Sequence, residues 1–199
     1  MTKSRPTLTV IIGSTRPGRA GLPIAQWFVE RARRQGGFEV EVADLAEIDL
    51  PLLDEPDHPR FGNYRHEHTR DWSARVARAD AIVIVTPEYN HGYPAAVKNA
   101  IDYLHNEWKY KPVGFVSYGG ISAGTRAVQQ LKPVVMAVRM TPVVEAVHIP
   151  FHTQFLDDDG VLQANEVMEQ AADAMLEELG RVESVLRPLR TAESDQRAA

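Results

Sequence analysis

The stretch that decides the fold is residues 81–104, which read AIVIVTPEYNHGYPAAVKNAIDYL. It begins with five consecutive apolar residues and continues through a loop of aromatic and polar residues into a helical pattern. In that pattern apolar residues recur at i, i+3, i+4 and i+7, which is the spacing of one buried helix face: Val97, Ala100, Ile101 and Leu104. Pro94 comes just before them, and proline is favoured in the first turn of a helix. The stretch therefore predicts a buried strand, a loop and a helix, the unit of parallel α/β folds.

The same alternation of strand and helix repeats along the chain. The other predicted strands lie at residues 8–12, 38–42, 113–116 and 143–149. Amphipathic helical patterns occupy residues 24–34, 66–79, 123–139 and 165–186, and residues 48–64, with three prolines, form a long loop. We expect one domain over residues 1–187. A flexible tail is expected over residues 188–199, because the chain beyond Pro188 is charged and rich in alanine.

The composition of the strands predicts their order in the sheet. A strand that helices cover on both faces is a continuous apolar run, whereas an edge strand tolerates charges. The second strand carries Glu39 and Glu41 and the fifth carries Glu145 and His148, while the other three are continuous runs without a charged residue. Placing these two at the edges gives the order 2-1-3-4-5, which is that of the flavodoxin-like three-layer sandwich. In such a sheet a ligand binds beyond the carboxyl ends of the strands, between the first and third strands.

Composition excludes several classes of function. The 199 residues include 22 basic and 27 acidic side chains, a net charge of −5, and no cysteine. Disulfides, thiolate catalysis and cysteine-ligated metals are therefore excluded, and the acidic balance argues against a nucleic-acid partner. No apolar run approaches the roughly 20 residues of a membrane helix, so we expect a cytoplasmic protein with no membrane partner. We also expect no metal site, since His66 and His68, two residues apart, are predicted to point to different helix faces.

The loop after the first strand has the composition of an anion site. Residues 13–21 read GSTRPGRAG, which places small residues, hydroxyls and two arginines before a helix N-terminus. Gly13 and Gly18 have the spacing of a P-loop, but Arg19 and Ala20 stand where that motif needs a lysine and a Mg²⁺-binding hydroxyl. This argues against nucleotide hydrolysis. The alternative to an anion site is a flexible turn with solvated arginines.

The loops after the third and fourth strands would meet the first loop at the same edge of the sheet. Residues 86–94 read TPEYNHGYP, and aromatic, amide and carboxylate groups together suit a flat heteroaromatic ring. The alternative is a structural turn whose tyrosines cap the core. Residues 117–120 read SYGG, and adjacent glycines allow backbone N–H groups to approach a ligand closely. A double glycine is a weak signal by itself.

The order and spacing of these three blocks over residues 7–150 resemble the NAD(P)H-dependent FMN reductase family, the flavodoxin-like group that includes quinone, azo-dye and chromate reductases. The block at residues 87–90, with its extension through Leu104, is the most specific. The resemblance implies the following FMN-binding residues: Ser14, Thr15 and Arg16 at the phosphate; Pro87, Glu88, Tyr89 and Asn90 at the isoalloxazine and ribityl chain; and Ser117, Tyr118, Gly119 and Gly120, of which the two glycines contact the pyrimidine edge. Many relatives have Ser-Phe-Asn where this chain has Arg19-Ala20-Gly21. The role of Arg19 therefore stays open between a salt link to the phosphate and exposure to water.

The resemblance implies an FMN-dependent oxidoreductase. Such an enzyme takes hydride from NAD(P)H onto FMN and passes electrons to a small acceptor (quinone, flavin, azo compound or metal ion) in a ping-pong cycle. No side chain is expected to be catalytic, because the flavin carries the chemistry. A homodimer or homotetramer is also implied, pairing through the helix after Asn90. Ala95, Ala96 and Ala100 are small enough for close helix approach there, but they fit an ordinary core equally well. The alternative function is a flavodoxin-like electron carrier that binds FMN without reacting with nicotinamide. The acceptor and the choice between NADH and NADPH stay open.

Overall fold

A five-stranded parallel sheet in the order 2-1-3-4-5 forms the centre of the protein. The computed structural model describes residues 5–198, and the side chains of residues 5–192. The strands are β1 (Thr7–Ile12), β2 (Glu39–Asp44), β3 (Ala81–Pro87), β4 (Pro112–Gly119) and β5 (Thr141–Pro150). The helices are α1 (Gly21–Gln35), α2 (Leu45–Ile48), α3 (Glu67–Arg78), α4 (Ala95–Asp102), α5 (Thr125–Ala137) and α6 (Glu166–Ala198). The predicted strand order and the flavodoxin-like architecture are confirmed.

Each face of the sheet carries its own hydrophobic core. Alternate residues of β3 serve the two faces, because successive side chains of a strand point in opposite directions. Val83 and Val85 pack with α1 and α6, whereas Ile82 and Ile84 pack with α3, α4 and α5. The edge strands are covered less completely, and exposed Val42 and Val144 lie on β2 and β5. Strand burial therefore explains why charge patterning predicted the order correctly.

Two strands extend further than predicted at the edge that matters for function. β3 continues to Pro87 and β4 to Gly119, so predicted site residues lie on strand ends rather than in loops. Short 3₁₀ turns are found in three connections, at Pro59–Phe61, Asn106–Trp108 and His152–Phe155. The last of these follows β5 directly. None of the helices within the described residues is long and apolar enough to cross a membrane.

His66 and His68 do not point to different faces as predicted. His66 precedes α3 with an extended backbone (φ −89°, ψ 145°), and so it does not follow helical geometry. The two rings stack at a centroid distance of 5.1 Å. His68 Nε2 lies 3.0 Å from Asp54 Oδ1, and His66 Nε2 lies 4.0 Å from Oδ2 of the same carboxylate. Within the described residues, no group of three or more His, Asp or Glu side chains is arranged to hold a metal ion.

The prediction that the last helix ends near Leu186 is wrong, because α6 continues through Pro188 to Ala198. The reason is a charge network at its C-terminal half. Glu183 is fully buried, and it accepts hydrogen bonds from Arg187 Nε at 2.9 Å and from Arg190 Nη2 at 2.5 Å. Arg190 also donates to Asp80 Oδ1 at 3.0 Å, which ties the helix to the amino end of β3. Flexibility beyond this network stays a prediction.

We predict that Arg190→Met lowers the free energy of unfolding by about 2 kcal/mol, because it removes charged hydrogen bonds from a buried carboxylate. The matched control is Arg181→Met, on an exposed surface of the same helix where Arg181 pairs with Glu177 and Glu178. The control should change stability by less than about 0.5 kcal/mol. Urea unfolding measures the free energy of unfolding of the two variants and the wild type. Equal effects would show that the segment beyond Pro188 behaves as the flexible tail that the sequence predicts.

Candidate functional site

Backbone hydrogen bonds hold together the ends of the strands that carry the predicted site. The N–H of Gly13 donates to the carbonyl of Val85 at 2.9 Å, and the N–H of Glu88 donates to that of Tyr118 at 3.1 Å. A Cβ at Gly13 would lie 2.5 Å from Val97 Cγ2, so only glycine fits where β1 leaves the sheet. The loops after β1, β3 and β4 therefore begin from fixed positions at one edge of the sheet.

A shallow cleft of about 90 Å³ lies between these loops. It is lined by Arg16, Ala20, Pro87, Glu88, Tyr89, Tyr118, Gly119 and His152. Ligand pockets commonly span about 300–1,000 Å³, so the enclosed part holds only a portion of a ligand. Six predicted site residues meet here. Thr15 instead lines a neighbouring cavity of about 410 Å³, while Asn90 and Gly120 are exposed beside the loops that form the cleft.

The loop after β1 presents unpaired donors, as predicted for an anion site. Among the N–H groups of residues 14–20, that of Arg19 donates to the carbonyl of Arg16, and the others have no acceptor in the described part of the chain. α1 begins after Ala20, which provides no side-chain cap. Free N–H groups and the positive end of the helix dipole both favour an anion here. Arg16 is exposed at the mouth of the loop.

Two side chains of this loop are already engaged within the protein. Ser14 is fully buried, and its hydroxyl shares a hydrogen bond of 2.6 Å with that of Tyr89. Arg19, left open between phosphate and water, forms an ion pair with the buried carboxylate of Asp44 through Nη2. Its Nε is buried and has no hydrogen-bond acceptor among the described residues. Arg19 is therefore committed to Asp44 rather than to the cleft, whose lining it does not join.

The loop after β3 is a tight turn. Asn90 and His91 have φ values of 51° and 70°, and two hydrogen bonds of 2.9 Å between Tyr89 and Gly92 close the turn. Positive φ at both central residues is the geometry of a type I′ turn. The N–H groups of Asn90 and His91 point away from this pairing and have no acceptor within the described residues. The turn is held to the loop after β1 through the Tyr89–Ser14 bond.

Glu88 positions the loop after β4 rather than pointing into the cleft as a free acid. Its side chain is only 6% exposed and accepts hydrogen bonds from Arg126 Nε at 2.6 Å and from Ser122 Oγ at 3.0 Å. Burial acts to raise the pKa of Glu88, but the bonds from Arg126 and Ser122 outweigh it and hold the pKa below its usual value. The carboxylate is therefore ionised and neutralised within the fold.

Ser117 is also turned into the fold. Its buried hydroxyl donates to the carbonyl of Ala123 at 2.7 Å and lies 2.7 Å from Nδ1 of His148. Because a hydroxyl has one proton, Nδ1 of His148 must be the donor in the second bond. The hydroxyl of Ser117 thus shapes the loop after β4 and is not brought to the cleft.

Tyr118 and His152 form the inner wall of the cleft. The Tyr118 ring is buried, and a Cβ at Gly21 would lie 2.7 Å from its hydroxyl, so the start of α1 depends on a glycine. Burial raises the pKa of Tyr118 well above its usual value, which keeps the phenol protonated. The ring of His152 packs edge-to-face on that of Tyr118 at 5.3 Å. His152 is absent from the predicted site; its position just past the carboxyl end of β5 is the signal that could have found it.

Comparison with known proteins identifies the family of this chain. The sequence profile of the family described as NADPH-dependent FMN reductase matches residues 6–154. The chain belongs to the NADPH-dependent FMN reductase family. It is 43% identical over 152 residues to an NAD(P)H-dependent FMN reductase of Schizosaccharomyces pombe, which covers 74% of this chain and 76% of that protein. It is 33% identical over 193 residues to an NAD(P)H-dependent FMN reductase of Nectria sp, which covers 92% of each.

Among solved structures, the flavoenzyme NAD(P)H:(acceptor) oxidoreductase from Paracoccus denitrificans has the same fold. Its TM-score is 0.72 at 23% identity, and the match covers 88% of this chain and 98% of that chain. This FMN reductase family member is thus an oxidoreductase with FMN as its cofactor and NAD(P)H as its co-substrate. The residues present fit FMN, because a phosphate needs donors and the loop after β1 offers unpaired N–H groups and the exposed guanidinium of Arg16.

We predict that Gly120→Ala raises the Kd for FMN about tenfold, which is about 1.4 kcal/mol, and leaves the stability of the free protein unchanged. A Cβ at Gly120 meets nothing within 4 Å, so the methyl group interferes only with a ligand that lies against this backbone. Quenching of flavin fluorescence measures the Kd, and thermal unfolding measures stability.

The control is Gly37→Ala, in the turn after α1, where the nearest atom to the new Cβ is the end of the flexible Gln35 side chain. Its Kd should equal that of the wild type. An unchanged Kd for Gly120→Ala would remove Gly120 from the cofactor site.

Proposed function

We propose that bound FMN accepts hydride from NAD(P)H and then reduces a small acceptor (quinone, free flavin, azo compound or metal ion) in a ping-pong cycle. The observation that carries this proposal is the cleft where the loops after β1, β3 and β4 meet with unpaired donors. Family membership supports the use of FMN and NAD(P)H. Family membership does not give the identity of the acceptor or the order of the steps, and both are part of the proposal.

The phosphate end of the cofactor is assigned to the loop after β1. Thr15 and Arg16 are exposed there, and the N–H groups of the loop have no competing acceptor in the described residues. Arginine is a suitable phosphate partner because its planar fork can donate two parallel hydrogen bonds. Ser14 contributes indirectly, since its hydroxyl fixes Tyr89 and with it the turn after β3.

The ring and the ribityl chain are assigned to the loops after β3 and β4. Tyr89 presents an aromatic face, and the N–H groups of Asn90 and Gly120 have no partner within the described residues. Donors of this kind stabilise negative charge without reorganising during the reaction. Glu88 and Arg126 keep the loop after β4 in place by their ion pair. The chain's part is thus to bind, orient and stabilise charge.

Local charge supports an anionic cofactor although the chain as a whole is acidic. The net charge is −5, yet Arg16 lines the cleft, and the carboxylate of Glu88, which also lines it, is neutralised by Arg126. Positive charge at a site raises both the affinity and the association rate for an anion. A positively charged cleft also suits the phosphates of NAD(P)H.

We further propose a homodimer or homotetramer that pairs through α4, and a cytoplasmic location that rests on the sequence alone. Ala100 is buried in the core and so cannot belong to this interface. Ala95 is exposed at the start of α4 and lines one cavity with Leu52, which is 82% exposed. The loop that carries Leu52 is fixed to α4, because Asn99 accepts from the N–H of Leu53 at 2.9 Å and donates to the carbonyl of Pro51 at 2.7 Å. A rigid, exposed apolar surface of this kind favours association.

We predict that NADPH or NADH bleaches the FMN-loaded protein anaerobically, and that an acceptor restores the flavin absorbance. Steady-state rates with the best acceptor should give parallel double-reciprocal lines, as a ping-pong cycle requires. Stopped-flow absorbance measures the bleaching of the flavin and its reoxidation by a panel of acceptors. Steady-state assays with the best acceptor give the double-reciprocal lines. An FMN-loaded protein that neither nicotinamide reduces would instead be the electron carrier.

We predict that Ala95→Glu converts the oligomer to a monomer without loss of stability, since an acidic residue is favourable in the first turn of a helix. The control is Ala74→Glu on the exposed face of α3, which should keep the mass of the wild type. Sedimentation velocity measures the mass. A monomeric wild type, or an Ala95→Glu variant that keeps its mass, would contradict the proposed interface.

A further inference from the structure

A strained backbone places His152 in the cofactor cleft. Phe151 lies in the left-handed region (φ 46°, ψ 48°), which is unfavourable for a large aromatic residue. Its own side chain is 54% exposed, so burial of that side chain does not compensate for the strain. The N–H of Phe151 donates to the carbonyl of Gly119 at 2.9 Å, which turns the chain back across the end of β4. The consequence is that His152 faces inward against Tyr118. Strained residues of this kind concentrate at functional sites.

The imidazole has a donor position that the protein does not use. Nδ1 of His152 is buried and has no hydrogen-bond partner among the described residues. The backbone of Gly119 lies close enough to favour the protonated ring, but Nδ1 forms no hydrogen bond of good geometry with it. A buried nitrogen without a partner is unfavourable, and it indicates a ligand or a bound water. Nε of Arg19 on the loop after β1 is a second buried donor without a partner.

We propose that His152 is a further phosphate-binding residue of this cleft, donating a hydrogen bond from its ring to the phosphate of FMN alongside Arg16. The inference rests on the proposed function and adds to it a residue from the turn after β5, outside the three loops of the site. Arg16, which lines the same cleft, and the free N–H groups before α1 favour an anion at this end. A protonated imidazole supplies a charge-assisted hydrogen bond, whereas a neutral ring supplies a weaker one.

The charges around His152 predict that binding is coupled to proton uptake. Burial lowers the pKa of His152, the Gly119 backbone opposes part of that shift, and the charge of Arg16 adds a smaller lowering effect. The other titratable groups that line the cleft are Glu88, Tyr89 and Tyr118. Glu88 stays ionised and paired, and Tyr118 stays protonated. A phosphate dianion beside the ring favours imidazolium, so the Kd for FMN should fall as pH falls from 8.5 to 6.5. This window lies above the second ionisation of a phosphate monoester, near pH 6.

The test compares FMN with riboflavin, which lacks the phosphate, on the wild type, His152→Phe and His152→Asn. Phenylalanine keeps the ring packing on Tyr118 but has no donor, and asparagine keeps a neutral donor near the position of Nδ1. His58→Phe, on the exposed loop before α3, is the matched control. The Kd for each flavin is measured by fluorescence quenching between pH 6.5 and 8.5.

We expect His152→Phe to raise the Kd for FMN about tenfold at pH 6.5, as loss of one charge-assisted hydrogen bond implies, and to remove its pH dependence. His152→Asn should bind more tightly than His152→Phe, without pH dependence. The Kd for riboflavin should be the same in all four proteins, which also shows that the variants are folded. If wild type and His152→Phe bind FMN with the same Kd and pH dependence, or if riboflavin binding falls as much as FMN binding, the assignment is wrong. A wild type that binds no FMN would instead overturn the proposed function.

Discussion

The position of the site depends on the close contact between the ends of β1 and β3. Where β1 leaves the sheet, the N–H of Gly13 donates to Val85, and the space for a side chain at Gly13 is taken by Val97 of α4. The loop that follows therefore starts at a fixed point, and the Ser14–Tyr89 bond connects it to the turn after β3. Without this contact, the donors for the phosphate and the donors for the ring would not face one cleft.

Charge is distributed so that the fold neutralises its acids and leaves donors free at the cleft. Asp44 pairs with Arg19, and Glu88 pairs with Arg126, so neither carboxylate opposes an anion. The unpaired N–H groups of the loop after β1, the exposed guanidinium of Arg16 and Nδ1 of His152 have no such partners within the described residues. A chain of net charge −5 thereby holds a site of the opposite sign.

Much of this arrangement could be predicted from the sequence, because apolar runs and edge charges report burial directly. The direction of individual side chains could not. Glu88 comes directly after β3, where a ligand-binding residue is expected. Only the fold of the loop after β4 brings Arg126 to its carboxylate. The position of His152 just past β5 can be read from the sequence, but its direction into the cleft cannot, because a phenylalanine at residue 151 does not signal a positive φ as a glycine would. The end of α6 was misplaced because Pro188 predicts a helix end, and sequence alone does not show that Glu183 is buried.

The central claim is that FMN lies where the ends of β1, β3, β4 and β5 meet. Amide hydrogen exchange, followed by mass spectrometry with and without FMN, tests it most directly because it reports every loop at once. The account predicts that FMN slows exchange in residues 14–21, 88–92, 119–124 and 151–153, and leaves residues 59–62 unchanged. Slower exchange confined to the neighbouring cavity of Leu45, Asp49 and Leu50, with none in these loops, would contradict it.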